Sequence, residues 1–478
     1  MFDLAIVLIN KGMAYVCHQT ASEMRSGRKA TSEARIQGQE VPVGALSPWR
    51  NSSVEENLEK FMKMRDGGYL EGEACMRMKG DFSSDNPAMW DPVFYRIKHS
   101  PPHPRSGSVW KIYPTYDFSH CIVDSLEGIT HSCCTLEFAG RQAPDGPYYW
   151  VLWALGLYKP VTWEYSRCSI ADNVLSKRRL QQLVEKRLVE GWDDPRLLTL
   201  AGLRRRGYTP SIINRFCEQI GVSTAQVSTT HMHVLESIAR EEFDVSAFRA
   251  FAVLEPLKVS IVNYQDIPKL VNITDSSTDG SVLGYVSTRN HPKNESLGVR
   301  KVALGATIFI EKKDFSMTGS GDYYGLVPDG AVGLLGTGFS IVCEEVVKDK
   351  DGHPSEIKVR AVSRKEKKPK GNIHWIADCA HKRAKVRTYG SLLLPKPDNE
   401  VLEIATEDGG ELATGEDWLS SVNPTSLHEI DGALLEPSIE DGKVYQFMRS
   451  GYFTKDPCSS ASDPVYHQIV PLKSSYSD

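Results

Sequence analysis

The hydrophobic pattern of this chain changes at Pro256, and this change constrains the fold more than any other feature. Over residues 176–255, apolar positions recur three or four apart, which is the spacing of one helix face. After Pro256, short runs rich in β-branched and aromatic residues, such as LKVSIVNY and GFSIVCEEVV, alternate with Gly, Pro, Asp and Asn. Short strands separated by turn residues are typical of barrels and sandwiches. Because residues 256–478 are too many for one small barrel, we predict two antiparallel β-barrels there.

The N-terminal part divides into two further regions. Residues 1–107 mix short helices with loops that contain Pro and Gly. Residues 108–175 follow a β-α-β pattern, in which VWKIYPTYDF is strand-like, SHCIVDSLEGI is helix-like and CCTLEF is strand-like. This alternation predicts part of a parallel sheet covered by helices. The expected fold class is therefore α/β plus all-β.

Composition excludes several classes of protein. The 478 residues include 56 Lys and Arg against 61 Asp and Glu, which gives a net charge of −5, and 41% are hydrophobic. These values exclude a disordered chain and a uniformly basic nucleic-acid binder, but they allow a local basic face. One basic run lies within residues 358–370, and it indicates either a solvated loop or an edge that faces phosphate.

Cysteine usage and hydropathy favour a reducing compartment. The ten cysteines form no CxxC or CxxH pair, so the sequence supports neither a metal site nor a disulfide framework. The apolar stretch at residues 4–9 is too short to span a bilayer and lacks the basic flank of a signal peptide. We therefore expect a cytoplasmic protein with no membrane partner.

Three stretches carry candidate chemistry. Residues 113–138 place Tyr116, Asp117, His120 and Thr135 near strand ends, where open α/β sheets bind ligands, although a buried structural histidine is the alternative. The second stretch, VLSKRRL, sets a hydroxyl beside three cations at a helix start, which suits phosphate or is an ordinary basic helix start. The third has three consecutive arginines, at residues 204–206, which suit a solvated helix face or contact with a phosphate backbone.

In this order, the three stretches resemble the glutaminyl-tRNA synthetases, which are class I aminoacyl-tRNA synthetases. YDFSHCIVDSLEGITHSCCTLEF is similar to the amino-acid-pocket segment of the family, VLSKR to its variant of the KMSKS loop, and VEGWDDPRLLTLAGLRRRGYTP to the segment that follows. NIHW, NPTSL and YQFMRSGYF are similar to the barrel region, so the resemblance covers essentially the whole chain. The glutamyl enzymes share YDF and GWDDPR, whereas His120 and EGITHSCCTLEF favour the glutaminyl branch.

The resemblance implies roles for single residues of the catalytic part. Glutamine is expected to contact Tyr116 and His120. Lys177 and Ser176 are the expected catalytic residues, with Lys177 stabilising charge on the departing pyrophosphate. Mg²⁺ is expected to arrive with ATP and not in a protein cage. The residues expected to contact ATP are Thr135, Arg167, Cys168, Leu175, Ser176 and Lys177.

The resemblance also implies anticodon contacts in the barrel region. Arg249, Gln446 and Arg449 match residues that read the anticodon, and such side chains can make paired hydrogen bonds to base edges. Gly325 falls where the family has an anticodon-reading arginine, and Leu335 falls where the family often has arginine. One base contact of the family is therefore expected to differ here.

The implied architecture and activity are those of the family. Residues 1–107 correspond to an acceptor-arm-binding insertion and residues 108–175 to the second half of a Rossmann-type catalytic domain. Residues 176–255 correspond to the KMSKS-like loop and a helical subdomain, and residues 256–478 to two anticodon-binding barrels. The implied reaction attaches glutamine to tRNA(Gln) through glutaminyl-adenylate, at the expense of ATP.

One element of the family is absent from the sequence. No HIGH motif precedes LAIVLINKGMAYV, so we expect the chain to be truncated and inactive alone. A catalytically silent tRNA-binding paralogue and a glutamyl-tRNA synthetase are the alternatives. Membership of a multi-synthetase complex stays open.

Overall fold

The computed structural model describes residues 1–225, 228–271, 282–319, 323–394 and 416–472. These residues form two compact units. Unit 1 comprises Met1–Cys168 and a short segment that begins at Val222, and unit 2 comprises the other described residues from Ser169 onwards. Within the described part of the chain, no helix has the length and hydropathy needed to cross a membrane.

Unit 1 combines helices with two small sheets. Its helices are α1 (Phe2–Asn10), α2 (Ala21–Ile36), α3 (Val54–Arg65), α4 (Tyr116–Leu126), α5 (Ala139–Gln142) and α6 (Pro147–Leu155). Its strands are β1 (Ala14–Cys17), β2 (Cys75–Met78), β3 (Val93–Ile97), β4 (Ile112–Pro114), β5 (His131–Thr135) and β6 (Val161–Tyr165). Strands β1 to β4 form an antiparallel sheet in sequence order, and β5 pairs with β6 in parallel.

The parallel arrangement predicted for residues 108–175 is correct for one strand and wrong for another. The first half of the predicted strand CCTLEF lies in β5, which pairs in parallel with β6, and its second half forms a 3-10 turn. In contrast, β4 joins β3 antiparallel, with Ile112 opposite Ile97. The strand ends at Pro114, and α4 begins at Tyr116, so only a short part of VWKIYPTYDF is extended. The edge of the first sheet therefore leads directly into α4.

The larger hydrophobic core of unit 1 joins helices α1, α3, α4 and α6 to the antiparallel sheet. The buried cluster includes Leu8 of α1, Phe61 of α3, Phe94 of β3, Phe118 of α4 and Val151 of α6. This core continues across residue 107 without a break, because β3 and β4 lie on opposite sides of that position in the sequence and share a ladder. The division between 1–107 and 108–175 stays a prediction.

Unit 2 begins with helices and continues with strands. Its helices are α7 (Lys177–Glu185), α8 (Leu200–Arg206), α9 (Pro210–Ile220), α10 (Met232–Ser246) and α11 (Ile267–Leu270). Two short strands, β7 (Cys168–Ile170) and β8 (Ser228–Thr230), each include a residue at which the chain passes between the units. The other strands are β9 (Phe248–Ala250), β10 (Ala252–Val253), β11 (Pro256–Ile261), β12 (Gly284–Arg289), β13 (Val299–Leu304), β14 (Thr307–Glu311), β15 (Ala331–Leu334), β16 (Phe339–Lys348), β17 (Pro354–Ser363), β18 (Asn372–Ile373), β19 (Ile376–Ala377), β20 (Lys382–Tyr389), β21 (Leu427–Leu435), β22 (Val444–Phe447), β23 (Gly451–Lys455) and β24 (Val465–Pro471).

The β-rich region forms two seven-stranded sheets and a separate two-stranded sheet, β12–β13. The first large sheet has the order β18-β15-β16-β17-β11-β14-β19, and the second has the order β10-β21-β20-β24-β23-β22-β9. Both large sheets are mixed, because β11 runs parallel to β17 and β9 runs parallel to β22. The predicted β-rich region after the helices is therefore confirmed, but its two large sheets contain parallel pairs and are not wholly antiparallel. Strands β9 and β10 also start this region before Pro256, since they pair with strands that come much later in the chain.

Removing the largest side chain of this core should destabilise unit 2. Trp375 is fully buried beside Phe251, and its Nε1 donates a hydrogen bond to the carbonyl of Leu335 at 3.0 Å. Trp375→Ala should lower the free energy of unfolding by about 3–5 kcal/mol, because the variant loses buried surface and leaves a cavity. Urea denaturation measures this loss. Trp192→Ala is the control, because Trp192 is 43% exposed, and equal losses in the two variants would contradict the assignment of the core.

Candidate functional site

A cleft in unit 1 forms on the polar face of α4. Tyr116 and His120 lie one helical turn apart, and their rings stack with centroids 4.5 Å apart at 19°. The cleft is partly open to solvent. Its lining residues come from α4, α6 and the segment between β5 and α6: Tyr116, Asp117, His120, Cys121, Phe138, Arg141, Gln142, Pro147 and Tyr148. The structure therefore brings together the two residues predicted to contact the amino acid.

Asp124 is the centre of a hydrogen-bond network behind this cleft. Its Oδ2 accepts hydrogen bonds from Ser132 Oγ at 2.7 Å and from the Tyr148 hydroxyl at 2.9 Å. The same oxygen lies 3.1 Å from His120 Nε2. Sequence reasoning missed Asp124, Ser132 and Tyr148. The spacing of His120 and Asp124 on one helix face was the available signal, because residues four apart on a helix are neighbours.

The titratable groups of the cleft are neutral or paired. Burial lowers the pKa of His120, against the opposing effect of Asp124, so the imidazole is neutral near pH 7. Tyr116 is 52% exposed, and partial desolvation raises its pKa to about 12, so its hydroxyl keeps its proton. Asp117 and Arg141 form an ion pair at 2.7 Å, and the guanidinium of Arg141 also lies 5.5 Å from the centre of the Phe138 ring. The cleft thus presents polar groups with little net charge.

Thr135 and Arg167 follow the parallel strands of unit 1. Thr135 is the last residue of β5 and lies opposite Tyr165 at the end of β6. Arg167 comes two residues after β6, and its guanidinium lies 3.9 Å from the Glu137 carboxylate. Cys168 is exposed. Polar residues that follow parallel strands are in the position where open α/β sheets bind ligands.

The basic loop belongs to unit 2. Ser176 precedes α7 without a side-chain capping bond, and Lys177 is the first helical residue and is exposed. Among the described residues, no group forms a hydrogen bond or an ion pair with the ammonium of Lys177. The N-terminal amides of a helix and a mobile ammonium together favour an anion. Leu175 is half-buried next to them.

Helix α7 is held by the C-terminal part of unit 2. Leu180 and Leu183 belong to a buried cluster with Leu392 and Leu393, against which Trp418 also packs. Trp418 Nε1 donates a hydrogen bond to Gln182 at 2.9 Å, and the guanidinium of Arg179 lies 5.3 Å from the Trp418 ring centre. The loop with Ser176 and Lys177 is therefore carried by a helix fixed on its apolar side.

The arginines at 204–206 mostly serve the structure. Arg205 contacts Asp456 at 2.8 Å and Glu190 at 3.2 Å. Arg206 is buried, with its guanidinium 4.9 Å from the Tyr389 ring centre. Only Arg204 of the three is exposed. For Arg205 and Arg206 a phosphate contact stays a prediction without support from this conformation, because both guanidinium groups contact other parts of the protein.

The basic run after residue 357 also carries its own counterions. Lys358 pairs with Glu345 at 2.9 Å, and Arg360 contacts Glu344 at 3.0 Å and Glu366 at 3.2 Å. Neighbouring strands β16 and β17 bring these charges together. This neutralisation favours the solvated surface over a phosphate-facing edge.

Of the three residues predicted to read the anticodon, two are neighbours on adjacent strands and the third follows one of those strands. Arg249 and Gln446 are register neighbours on the parallel strands β9 and β22. Arg249 is 7% exposed and contacts the carboxylate of Asp244 at 3.1 Å, whereas Gln446 is half-buried. Arg449 follows β22 with φ +66° and holds the buried carboxylate of Asp314 through two hydrogen bonds of 2.6 and 2.7 Å.

The backbone at Gly325 leaves no room for a side chain. A Cβ built at this position would lie 2.4 Å from the Tyr323 hydroxyl and 2.5 Å from the carbonyl of Asp314. An arginine here would require the loop to move. The expected loss of an arginine at Gly325 is thus accompanied by close packing of Tyr323 and Asp314 against the glycine.

Three segments of the chain match domains of one protein family. Residues 1–275 match the catalytic domain of the class I (E and Q) tRNA synthetases, and residues 247–362 and 372–456 match the two anticodon-binding domains of the same group. The chain belongs to the class I (E and Q) tRNA synthetases. Its β-rich sheets are therefore the anticodon-binding part of a synthetase, and unit 1 lies within the catalytic part.

Individual relatives agree with this family. The probable glutamine–tRNA ligase of Dictyostelium discoideum is 40% identical over 99% of this chain and 55% of its own length. The cytoplasmic glutamine–tRNA ligase of Arabidopsis thaliana is 40% identical over 100% of this chain and 56% of its own length. The glutamine–tRNA ligase of Tolumonas auensis is 41% identical, over 99% of this chain and 80% of its own length. The chain thus spans about half the length of the Dictyostelium and Arabidopsis relatives.

A glutamate-tRNA synthetase from Elizabethkingia anophelis is a solved structure with some similarity. It matches 52% of this chain and 54% of its own chain, at 16% identity and a TM-score of 0.31.

The buried histidine next to Asp456, His467, should make the stability of unit 2 depend on pH. His467 is fully buried between Asp456, 3.1 Å from its Nε2, and the Tyr389 hydroxyl, 2.6 Å from its Nδ1. Burial lowers the pKa of His467 to about 4. An unfolded histidine has a pKa of about 6.5, so the unfolded chain binds more protons between these values and stability falls as the pH falls through this window.

We expect His467 to account for about 2–3 kcal/mol of lost stability between pH 7 and pH 4.5. Urea denaturation at several pH values measures the loss, and His467→Gln should reduce it because the variant cannot bind the extra proton. His353→Gln, at an exposed position, is the control and should keep the pH dependence of the wild type. The same slope in all three proteins would show that His467 is not the group responsible.

Proposed function

We propose that this chain supplies the amino-acid pocket, the phosphate-binding loop and the anticodon-binding surface of a glutamine–tRNA ligase. The stacked, neutral pair of Tyr116 and His120 is the observation that carries the proposal, because both side chains can accept a hydrogen bond from an amide. The printed names of the Dictyostelium, Arabidopsis and Tolumonas relatives support it. In this proposal, residues 1–107 bind the acceptor arm, residues 108–175 complete the nucleotide-binding fold and residues 176–255 carry the KMSKS-like loop. Two barrels within residues 256–478 bind the anticodon.

The reaction has two steps. The carboxylate of glutamine attacks the α-phosphorus of ATP, which forms glutaminyl-adenylate and releases pyrophosphate. The 2′-hydroxyl of the terminal adenosine of tRNA(Gln) then attacks the acyl carbon and releases AMP. Neither step requires a covalent bond to the protein, so catalysis consists of positioning and charge stabilisation.

Two sets of residues have separate roles in this reaction. In the proposed complex, Thr135, Arg167 and Cys168 contact ATP beside the parallel strands of unit 1. Leu175, Ser176 and Lys177 bind the phosphates, with the ammonium of Lys177 stabilising the charge that develops on pyrophosphate. Mg²⁺ enters with ATP as part of the substrate, and the expected compartment is the cytoplasm.

Selection of glutamine follows from hydrogen-bonding type. The glutamine amide donates two hydrogen bonds, whereas an ionised glutamate side chain only accepts them. The neutral Tyr116 hydroxyl and the neutral His120 ring can each accept from the amide. A pocket built around such contacts can discriminate by ~10⁴ or more against the substrate that lacks the donor.

Lys177→Ala should weaken the binding of inorganic pyrophosphate to the chain by about 10- to 100-fold, because a hydrogen bond to a charged group contributes about 1.5–3 kcal/mol. Isothermal titration calorimetry measures this affinity at fixed ionic strength. Lys159→Ala removes an exposed lysine of unit 1 and is the matched control. If both variants bind pyrophosphate as the wild type does, Lys177 is not a phosphate ligand.

Gln446→Ala should weaken binding of tRNA(Gln) and reduce discrimination against tRNAs with other anticodons. One paired base contact contributes about 1–3 kcal/mol, so the expected loss is about 5- to 150-fold for the cognate tRNA. Filter binding with wild-type and anticodon-substituted tRNA(Gln) measures it. Gln265→Ala, on the exposed surface, should leave both affinities unchanged, and an equal loss for every tRNA would mark Gln446 as a backbone contact.

A charging experiment separates the proposal from its two alternatives. tRNA(Gln) and tRNA(Glu) are incubated with glutamine or glutamate, with the chain and with the product of the complete gene in parallel. Attachment of glutamine to tRNA(Gln) supports the proposal, whereas preference for glutamate would replace it with a glutamyl enzyme. Tight tRNA binding with no charging and no pyrophosphate exchange by the complete product would favour a silent tRNA-binding paralogue.

A further inference from the structure

We infer that Asp124 is a positioning residue that selects the substrate by fixing the tautomer of His120. It keeps the imidazole proton on Nε2, so that Nδ1 can only accept a hydrogen bond, and an acceptor there favours a side-chain amide over a carboxylate. The inference deepens the proposed function and rests on it.

The donors around Asp124 determine where the imidazole proton lies. Ser132 and Tyr148 each have one hydroxyl proton, and both donate it to Asp124 Oδ2, at 2.7 and 2.9 Å. His120 Nε2 lies 3.1 Å from the same oxygen and 3.4 Å from Ser132 Oγ. A carboxylate oxygen has no proton to give, and the hydroxyl proton of Ser132 is already used. A lone pair on Nε2 would face the Asp124 oxygen at 3.1 Å, so this acceptor favours the tautomer that carries its proton on Nε2.

The neutral state of the ring leaves Nδ1 without a proton. Burial lowers the pKa of His120, and although Asp124 opposes this effect, the pKa stays below its ordinary value. The other charged side chains at the cleft, Asp117 and Arg141, are paired with each other. Cys134 lies at the Tyr116 hydroxyl, and burial raises its pKa, so it adds no charge. Burial likewise raises the pKa of Tyr148.

Two aromatic contacts favour one orientation of the His120 ring. Tyr116 stacks on one face of the His120 ring, and Tyr148 meets it edge-on with centroids 5.6 Å apart at 72°. Within the described part of the chain, no residue forms a hydrogen bond with Nδ1. Nδ1 is thus the ring nitrogen without a described protein partner, and His120 is one of the residues that line the cleft.

Glutamine and glutamate would then interact differently with Nδ1 of His120. A glutamine amide can donate to the Nδ1 lone pair, whereas a glutamate carboxylate would place its own lone pairs against it. If the proton were on Nδ1 instead, the ring would donate to the carboxylate and the preference would weaken. Asp124 acts through His120 and is not itself expected to contact the substrate.

Two variants separate the acceptor role of Asp124 from its charge. Asp124→Ala removes the acceptor, which frees the Ser132 hydroxyl to donate to Nε2 and should move the imidazole proton to Nδ1. Asp124→Asn keeps a neutral acceptor oxygen at the same place and should retain the Nε2–H tautomer. Asp145→Ala removes an exposed aspartate of the same unit and is the control.

The tautomer is measured directly by ¹⁵N NMR of histidine-labelled protein at pH 7. The His120 resonance is identified by its loss in His120→Gln. We expect the Nε2–H tautomer in the wild type, in Asp124→Asn and in the control, and Nδ1–H or a mixture in Asp124→Ala. A protonated imidazolium or an Nδ1–H tautomer in the wild type would overturn the inference, and this readout does not depend on any activity.

The substrate side is measured by equilibrium dialysis with radiolabelled glutamine and glutamate. The ratio of glutamine to glutamate affinity should fall by at least about tenfold in Asp124→Ala and recover in Asp124→Asn, since one good hydrogen bond corresponds to about 1.4 kcal/mol. An unchanged ratio in Asp124→Ala would overturn the inference while leaving the proposed function intact. A wild-type protein that binds neither amino acid would instead overturn the proposed function and the substrate side of the inference, while the tautomer result would still hold.

Discussion

Helix α4 holds both the core of unit 1 and the polar cleft, and the rest of the site depends on this double role. Phe118, Cys121 and Ile122 are buried on one side of the helix. Tyr116, His120 and Asp124 recur every four residues on the other side, and side chains at this spacing are stacked above one another. The core contacts therefore fix the height and rotation of the polar groups. Precise hydrogen bonding becomes possible because none of these side chains is on a loop.

In unit 2, buried ion pairs fix the position of one element against another. Arg205 joins α8 to Asp456, which follows β23, and Asp456 in turn contacts His467 of β24. Burial acts to raise the pKa of Asp456, but hydrogen bonding and charge from Arg205 lower it to about 2. Breaking one partner of such a group leaves an uncompensated charge in the interior. This helical segment is thus tied to the C-terminal sheet by interactions that tolerate little displacement.

The sequence predicted local features of this fold better than pairings between distant segments. The β-α-β pattern predicted α4, apolar spacing predicted α7, and turn residues predicted the short strands after Pro256. It did not predict that β4 would join an antiparallel sheet, because strand partners depend on segments elsewhere in the chain. The same reason explains the mixed sheets, in which β9 pairs with β22 across the whole first β-rich layer.

In the candidate site too, local features could be predicted and contacts between distant residues could not. The residues of the cleft could be found from motifs, since Tyr116 and His120 lie within one conspicuous string. The counterions could not, because Asp314 is 135 positions from Arg449 and nothing local indicates the pair. The sequence therefore predicted anticodon contacts for Arg249 and Arg449, and solvent or phosphate contact for Arg205, without any protein partner. In the folded protein each of them is held by a carboxylate.

These carboxylates change how the proposed anticodon contacts should be understood. Asp314 is almost fully buried, so releasing Arg449 to bind a base would leave a buried charge without its partner. The pair is therefore expected to remain intact when RNA binds. Arginine has five N–H donors, and Asp314 uses two of them, which leaves the others for a base edge in an orientation that the protein has already fixed. In this arrangement the carboxylate orients the guanidinium, and Gln446 can adjust its amide to the base.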